Sequence, residues 1–136
     1  MYKQIISKLL LLVLVISGLP AFAQADTATC GNFKKGKFVY RNDSAETVII
    51  TRRARQQEEY NKTTDVLTKF KVKWLSDCSY QLKQVWSNSK KQRKNNGATT
   101  VVTIDAVNAD GYEFHCDCKG EEGTRNNGKV FRLSES

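Results

Sequence analysis

The residues best suited to chemistry in this sequence lie in one short stretch, the His-Cys-Asp-Cys run at residues 115–118. Imidazole and thiolate groups bind zinc, and closely spaced cysteines also form redox centres. Zinc needs four ligands, usually from two separated pairs, and this chain offers one Cys-x-Cys pair and one histidine. In an extended strand, Cys116 and Cys118 point to one face and His115 to the other. We therefore predict no metal site and no cofactor.

The four cysteines are predicted to form disulfides, because an exported chain with an even cysteine count is typically disulfide-bonded. They are Cys30, Cys78, Cys116 and Cys118, and they allow three pairings that sequence alone does not distinguish. A bond within the Cys-x-Cys pair would join α-carbons about 6.6 Å apart in an extended strand, at the edge of the disulfide range. We therefore expect each of Cys30 and Cys78 to bond one of Cys116 and Cys118.

The remaining candidate groups suggest no catalytic arrangement. The neighbouring acids Glu58 and Glu59 diverge in an extended chain, whereas a glycosidase needs two carboxylates facing each other. His115, with Asp117 as its candidate partner, is the one pair that could support a hydrolase, and this is the least favoured of three functional hypotheses. We predict that the protein is not an enzyme and has no catalytic residues.

The N-terminus has the features of a secretory signal. Lys3 and Lys8 precede the apolar run at residues 9–16, and an Ala-Phe-Ala cleavage pattern ends at Ala23. The apolar run is shorter than the roughly 20 residues that a transmembrane helix needs. We predict a signal peptide over residues 1–23, with cleavage near Ala23, and a secreted or periplasmic protein without a transmembrane span.

The rest of the chain alternates between apolar and polar residues in the manner of half-buried strands. Residues 24–35 are predicted to be a polar lead-in arm, and residues 36–136 a single β domain. The alternation is clearest over residues 68–75, where lysines face one way and apolar side chains the other. Residues 78–87 are predicted to return as the hairpin partner, with Trp86 facing inward, and residues 54–61 to form an exposed strand.

The chain has about eight such segments, separated by turn signals at roughly 8–12-residue spacing, which is typical of a β-sandwich or barrel. Most links are too short for parallel crossovers, so neighbouring strands should be antiparallel. One apolar face per strand favours a single sheet that closes on itself and leaves no exposed edge. The predicted fold is all-β: an up-and-down antiparallel meander closing into a small barrel or half-barrel. A two-sheet sandwich is the alternative.

Aromatic residues share the predicted inward phase of these strands, and they fill the core or line a ligand cavity. They are Phe38, Tyr40, Phe70, Trp74, Tyr80, Trp86, Tyr112, Phe114 and Phe131. Eight-stranded barrels lie at the boundary between a filled interior and one small ligand. The leading hypothesis is a non-enzymatic, exported β-barrel-like binding module for a small amphipathic ligand. Its predicted ligand-binding residues are Trp74, Tyr80, Trp86 and Phe114.

Basic residues support an alternative function. The formal net charge of +8 falls to +6 after signal cleavage, because Lys3 and Lys8 are removed with no acidic residue. The alternative is a module that binds anionic components of the cell envelope. Its predicted polyanion-binding residues are Lys69, Lys71, Lys73, Lys90, Lys91, Arg93 and Lys94. Because the chain is predicted to be exported, nucleic acid is not an expected partner; the sequence indicates no oligomeric state.

One set of motifs carries a family resemblance. They are Cys30-x-x-Phe33-x-x-Gly36-x-Phe38-x-Tyr40, Ile50-Thr51-Arg52 and Trp74-Leu75-Ser76-Asp77-Cys78-x-Tyr80-x-Leu82. This part of the chain resembles short secreted bacterial β-rich proteins without an established activity, some of which carry the label "DNA topoisomerase IV". A topoisomerase subunit is a large cytosolic enzyme, so that label does not suit a small exported chain. The resemblance implies the fold and the export. A weaker likeness to lipocalins, through Gly36-x-Phe38 and the meander, implies a barrel.

Overall fold

The computed structural model describes residues 28–41, 45–118 and 127–134. Each strand pairs antiparallel with the next one along the chain, and the last strand pairs with the first to close a barrel. The strands are β1 (Gly36–Arg41), β2 (Thr47–Arg52), β3 (Gln56–Asn61), β4 (Val66–Trp74), β5 (Ser79–Ser87), β6 (Thr99–Val107), β7 (Gly111–Cys116) and β8 (Asn127–Arg132). Two short 3-10 helices are η1 (Cys30–Phe33) and η2 (Gln92–Asn95).

This topology confirms the predicted all-β meander and selects the closed barrel over the two-sheet sandwich. Closure occurs where Phe38, Val39 and Tyr40 of β1 pair with β8. Short links between neighbouring strands leave no room for crossovers. Pairing of the first and last strands then removes the two edges that a flat sheet would expose.

Because neighbouring strands run in opposite directions, their connections alternate between the two ends of the barrel. We call the end with the β2–β3, β4–β5 and β6–β7 turns the closed end, since η1 packs there. We call the opposite end, with the β1–β2, β3–β4 and β5–β6 connections, the mouth. Between the two ends lies an apolar core that includes Ile50, Val72, Leu82, Val102, Ile104 and Val130.

The described part of the predicted lead-in arm, residues 28–35, contains η1. Asn32 holds its first turn, because its side-chain oxygen accepts hydrogen bonds from the N–H and hydroxyl of Thr29, at 2.9 and 2.8 Å. Phe33 ends η1 and is buried in the barrel end, at 1% exposure. Gly36 then joins η1 to β1 with a φ of 137°, a backbone conformation that favours glycine. The predicted signal peptide and residues 24–27 lie outside the described residues.

The disulfides are Cys30–Cys78 and Cys116–Cys118, so the predicted pairing between the two sets is wrong. Cys30 begins η1 and Cys78 lies in the β4–β5 turn, so both are at the closed end, with α-carbons 5.2 Å apart. The other pair lies at the end of β7 that points toward the mouth. Strand β7 ends at Cys116, and the chain beyond it is no longer extended, which brings the Cys116 and Cys118 α-carbons within 5.1 Å.

Strand β3 was predicted to be exposed, and this is wrong for part of it. Gln57 is 2% exposed, and the side chain of Glu59 lies on the same inward face. Period-two alternation places both residues in phase, so two polar side chains enter the interior from one strand.

Candidate functional site

The closed end is organised around one buried arginine. Arg52 is the last residue of β2 and shares the inward face of that strand with Ile50, which brings its side chain into the barrel at 2% exposure. Its guanidinium donates hydrogen bonds to four groups: the Gln57 Oε1 atom at 2.6 Å, the Phe33 carbonyl at 2.9 Å, and the Tyr80 and Tyr112 hydroxyls at 2.8 and 2.9 Å. Every one of these acceptors is neutral.

Aromatic rings complete the surroundings of this guanidinium. The Arg52 Cζ atom lies 4.4 Å from the Tyr80 ring centroid and 5.5 Å from that of Phe38, where the ring faces attract a cation. Burial by itself lowers the pKa of Arg52, but Tyr80, Tyr112 and Glu59 offset this and raise it overall. Burial raises the pKa of the Tyr80 hydroxyl well above its ordinary value, although Arg52 opposes the change. The arginine therefore stays charged and the tyrosine neutral.

The helix η1 closes this end over the arginine. The Phe33 ring packs 5.2 Å from the Tyr112 ring and 6.1 Å from the Phe38 ring, measured between centroids. From β8, Arg132 lies 5.0 Å above the Phe33 ring and donates a hydrogen bond to the Asn32 carbonyl at 2.6 Å. Together with the Cys30–Cys78 disulfide, these contacts fix η1 against the barrel.

The mouth, by contrast, contains a cavity of about 440 Å³. We call it the mouth cavity. Its walls come from β2, β3, β4 and β5 and from the β5–β6 connection. Its lining residues are Glu46, Val48, Glu59, Asn61, Thr64, Val66, Thr68, Phe70, Gln84, Ser89, Lys91 and Gln92. The volume lies within the range of roughly 300–1,000 Å³ that small-molecule sites occupy, and the lining is more polar than is typical of such sites.

A chain of hydrogen bonds links the closed end to the mouth cavity. Arg52 donates to Gln57 Oε1, and the Gln57 Nε2 group donates to Glu59 Oε1, each at 2.6 Å. Because arginine only donates, it fixes the Gln57 amide with its NH2 group toward Glu59. Burial raises the pKa of Glu59, while the Gln57 hydrogen bond and the Arg52 charge partly offset that rise. Glu59 is thus a carboxyl group in the barrel interior that is connected to the Arg52 guanidinium through the Gln57 amide.

Gln84 positions the connection that forms one wall of the mouth cavity. It is 6% exposed, and its amide donates to the Gln92 carbonyl at 2.6 Å and to Asn96 Oδ1 at 3.0 Å. Both acceptors belong to the β5–β6 connection, in or next to η2. An inward-facing glutamine therefore folds the connection over the mouth and brings Ser89 and Lys91 to the cavity wall.

The His-Cys-Asp-Cys run forms the end of β7 and the two residues after it, and a disulfide closes it. Its two cysteines are bonded to each other, and the His115 Nδ1 atom contacts the Asp105 carboxylate of β6 at 2.7 Å on the exposed outer face. Asp117 instead accepts a hydrogen bond from the Val101 backbone N–H, so the candidate pair His115–Asp117 is not brought together. Within the described ranges, no group of three His, Cys, Asp or Glu side chains is placed to hold a metal ion.

The four predicted ligand-binding residues do not line the mouth cavity. Tyr80 is 3% exposed and bonded to Arg52, and Trp74 packs against it with ring centroids 4.8 Å apart, so both belong to the closed end. Phe114 packs 5.8 Å from Tyr40, in space that Gly128 leaves open. A Cβ at residue 128 would lie 2.6 Å from the Tyr40 ring. These three aromatic side chains fill the core.

Trp86, the fourth, lies on the outer face with 42% exposure, so its predicted inward position is wrong. The register between β4 and β5 shifts at Lys69–Phe70: Phe70 pairs with Gln84, and Lys69 pairs with Trp86. The extra residue on β5, Val85, reverses the inward–outward alternation beyond it. Phe131, also predicted to face inward, is 44% exposed because the buried position on β8 belongs to Val130.

The predicted polyanion-binding residues divide between separate surfaces. Lys69 forms an ion pair with Glu58 at 3.3 Å and lies over the Trp86 ring. Lys71 and Lys73 continue along the outer face of β4. Lys90, Lys91, Arg93 and Lys94 belong to the β5–β6 connection at the mouth, where Lys91 borders the mouth cavity. The structure does not bring the seven into one patch.

A different group of cations does come together on the outer wall of β3–β5. A groove of about 480 Å³ is lined by Arg55, Gln56, Lys71, Val72, Lys73, Gln81 and Lys83, and we call it the outer groove. Lys71 and Lys83 lie directly opposite each other across the β4–β5 pairing. Like charges in that position destabilise a sheet. Arg55 and Lys83 were not part of the predicted set, because they reach the groove through strand pairing.

The sequence-based predictions also missed the polar interior, namely Arg52, Gln57, Glu59 and Gln84. A signal for Arg52 and Gln84 was present, because each shares the period-two phase of buried apolar neighbours on its strand, whereas no apolar residue of β3 shares the phase of Gln57 and Glu59. The phase of Arg52 with Ile50 is readable in the sequence. Charged residues at strand ends are usually solvated, however, so this pattern alone does not indicate burial.

Comparisons with protein-family models, with curated proteins and with solved structures found no match to this chain. Over the described residues, none of the helices is long and apolar enough to cross a membrane.

Proposed function

We propose that this protein is an exported binding protein that holds a small amphipathic molecule in its mouth cavity, and that it acts by binding and not by catalysis. The observation that carries this proposal is the contrast between the two barrel ends. One end is filled by η1 and the Arg52 cluster, and the other contains a cavity of about 440 Å³. Apolar side chains of Val48, Val66 and Phe70 share that cavity with polar groups, which suits an amphipathic ligand.

The export part of the proposal is supported by the N-terminal sequence and by the cysteines. A signal-type segment precedes the barrel, and the four cysteines form two disulfides. Disulfides persist mainly in oxidising compartments such as the periplasm or the extracellular space. We therefore propose that the ligand is met outside the cytoplasm.

The test is to block the cavity at its rim. Val66 lines the mouth cavity, and Val66→Trp would fill much of the space near its opening. A neutral fluorescent probe such as N-phenyl-1-naphthylamine should brighten on binding the wild-type protein, and Val66→Trp should weaken that binding at least tenfold. The matched control is Val85→Trp, because Val85 is 41% exposed on the outer wall. Equal probe affinity in the two variants, with thermal stability unchanged, would remove the mouth cavity as the site.

A second candidate function has its own supporting observation, the outer groove. Four cations line it, and for Lys71, Lys73 and Lys83 no ion-pair partner lies within the described part of the chain. A bound polyanion would relieve the repulsion between Lys71 and Lys83. We propose an anionic polymer of the cell envelope as the partner on this surface.

This second proposal is tested with dextran sulfate as the probe. Wild-type binding should weaken steeply as salt is added, because exposed charges are screened. The double variant Lys71→Gln, Lys83→Gln should lose most of the affinity at low salt. The control double variant, Lys90→Gln with Lys94→Gln, removes the same charge from the β5–β6 connection. Equal weakening in both variants would mean that net charge and not the outer groove is responsible.

A further inference from the structure

Glu59 occupies a special place in the mouth cavity. It lies on β3 opposite Ile50 of β2 and Thr68 of β4, and Thr68 is itself buried. The carboxyl group therefore lies among strands, below the loops of the mouth, and still lines the cavity. Its sequence neighbour Glu58 points outward and pairs with Lys69.

Over the described part of the chain, one oxygen of this carboxyl group is engaged by the protein. Glu59 Oε1 accepts the hydrogen bond from Gln57, whose amide is oriented by Arg52. Within the described residues, Glu59 Oε2 accepts no hydrogen bond, and it is not among the fully buried atoms that lack a partner. The second oxygen is therefore available to a molecule in the cavity.

Among the described residues that line the cavity, acids outnumber bases, although the protein is basic. The chain carries a formal net charge of +8, whereas the described part of the mouth-cavity lining includes two acids, Glu46 and Glu59, and one base, Lys91. A buried charge is stable only when it is paired or hydrogen-bonded, so an anionic head group placed beside Glu59 would be disfavoured. A cationic donor would instead complete the hydrogen bonding of the carboxylate and strengthen it through charge.

We propose that the mouth cavity selects amphipathic ligands that carry a cationic amine, and that the Glu59 carboxylate receives the ammonium group. This inference depends on the proposed function, because it assumes that the mouth cavity binds a small molecule. The ammonium group donates to Oε2, while Gln57 and Arg52 hold the carboxylate in place. The apolar part of the ligand lies against Val48, Val66 and Phe70, which line the same cavity.

The experiment compares three probes that share one tail: octylamine, octanol and octanoate. Binding is measured by calorimetry at neutral pH with the full mature protein. Octylamine should bind about tenfold or more tightly than octanol, since charge-assisted hydrogen bonds are the stronger kind, and octanoate should bind weakest. In Glu59→Gln, which keeps the shape of the side chain, octylamine should lose its preference over octanol.

The matched control is Glu58→Gln, which removes the same charge one residue away on the outer face. It should retain the full preference for octylamine. If octanol and octanoate bind as well as octylamine, or if Glu59→Gln keeps the preference, the inference is wrong while the proposed function stands. If none of the three probes binds the wild-type protein, the proposed function itself is overturned.

Discussion

The Arg52 guanidinium and the Tyr112 hydroxyl are joined by a hydrogen bond of 2.9 Å, although the two residues are 60 positions apart in the chain. Arg52 ends β2, and Tyr112 lies near the start of β7, so the bond crosses the barrel interior at the closed end. Tyr80 of β5 shares the same Nη2 donor. One side chain thus connects three strands that are not neighbours, together with η1 through the Phe33 carbonyl.

Replacing Arg52 by methionine should strongly destabilise the fold. The substitution leaves Gln57 Oε1, the Phe33 carbonyl and two tyrosine hydroxyls without their donor in a buried space. Each buried neutral group left without its hydrogen-bond partner costs roughly 1–3 kcal/mol of unfolding free energy, so the total loss should exceed about 3 kcal/mol. Urea unfolding measures the loss. Arg53→Met is the control, because Arg53 is exposed, and it should change stability by less than about 0.5 kcal/mol. Similar losses in both variants would contradict the central role of Arg52.

The two disulfides should differ in their contributions to stability. Cys30–Cys78 spans 48 residues of sequence, and Cys116–Cys118 spans two. In the chain-entropy description, a longer closed loop restricts the unfolded chain more, which gives about 4 kcal/mol for the first bond and about 1 kcal/mol for the second. Urea unfolding of the double variants Cys30→Ala, Cys78→Ala and Cys116→Ala, Cys118→Ala tests this difference. Equal losses would show that the bond at η1 does not act through loop closure.

The two tryptophans should report opposite environments. Trp74 packs at the closed end, where its indole Nε1 atom is buried, whereas Trp86 is 42% exposed on the outer wall. Acrylamide should therefore quench the fluorescence of Trp74→Phe, which retains Trp86, several times more steeply than that of Trp86→Phe. Unfolding in urea should make the two variants equal. Equal quenching in the folded state would contradict the register shift at Lys69–Phe70.

The sequence predicts the fold because its strongest signal is local. Alternation over residues 68–75 and the short turns determine which residues pair and which faces are buried, and these lead to a meander barrel. Local alternation does not predict the register shift between β4 and β5. The extra residue, Val85, carries no distinctive side chain, yet it turns Trp86 outward and places Ser87 in the interior.

The site is harder to predict because its polar groups come from strands that are distant in the sequence and are brought together only when the barrel forms. Arg52 and Gln57 are close in the sequence, but their partners Tyr80 and Tyr112 come from β5 and β7. The disulfide pairing could not be predicted from the sequence for a similar reason. Which pair lies together depends on where η1 packs, and η1 is fixed by Phe33, whose burial no local pattern indicates.

Glu59 should make the protein less stable as pH rises. Burial raises the pKa of Glu59 in the folded state above its ordinary value of about 4.5, which applies to the unfolded chain. Between those two values the folded protein binds more protons than the unfolded one, so the Glu59 contribution to stability is present at low pH and is lost as pH rises through the folded pKa. In that window the wild-type protein should lose up to about 1.4 kcal/mol per pH unit relative to Glu59→Gln.

Urea unfolding of both proteins from pH 4 to pH 8 measures this difference, and contributions from other groups cancel in the comparison. The difference should be flat below the unfolded pKa, change within the window, and be flat again above the folded pKa. Glu58→Gln is the control, since its carboxylate is paired with Lys69 on the outer face. Added octylamine should narrow the window, because an ammonium group beside Glu59 favours the ionised carboxylate. A pH-independent difference would mean that Glu59 titrates alike in the folded and unfolded chains, and that Arg52 and Gln57 fully balance its burial.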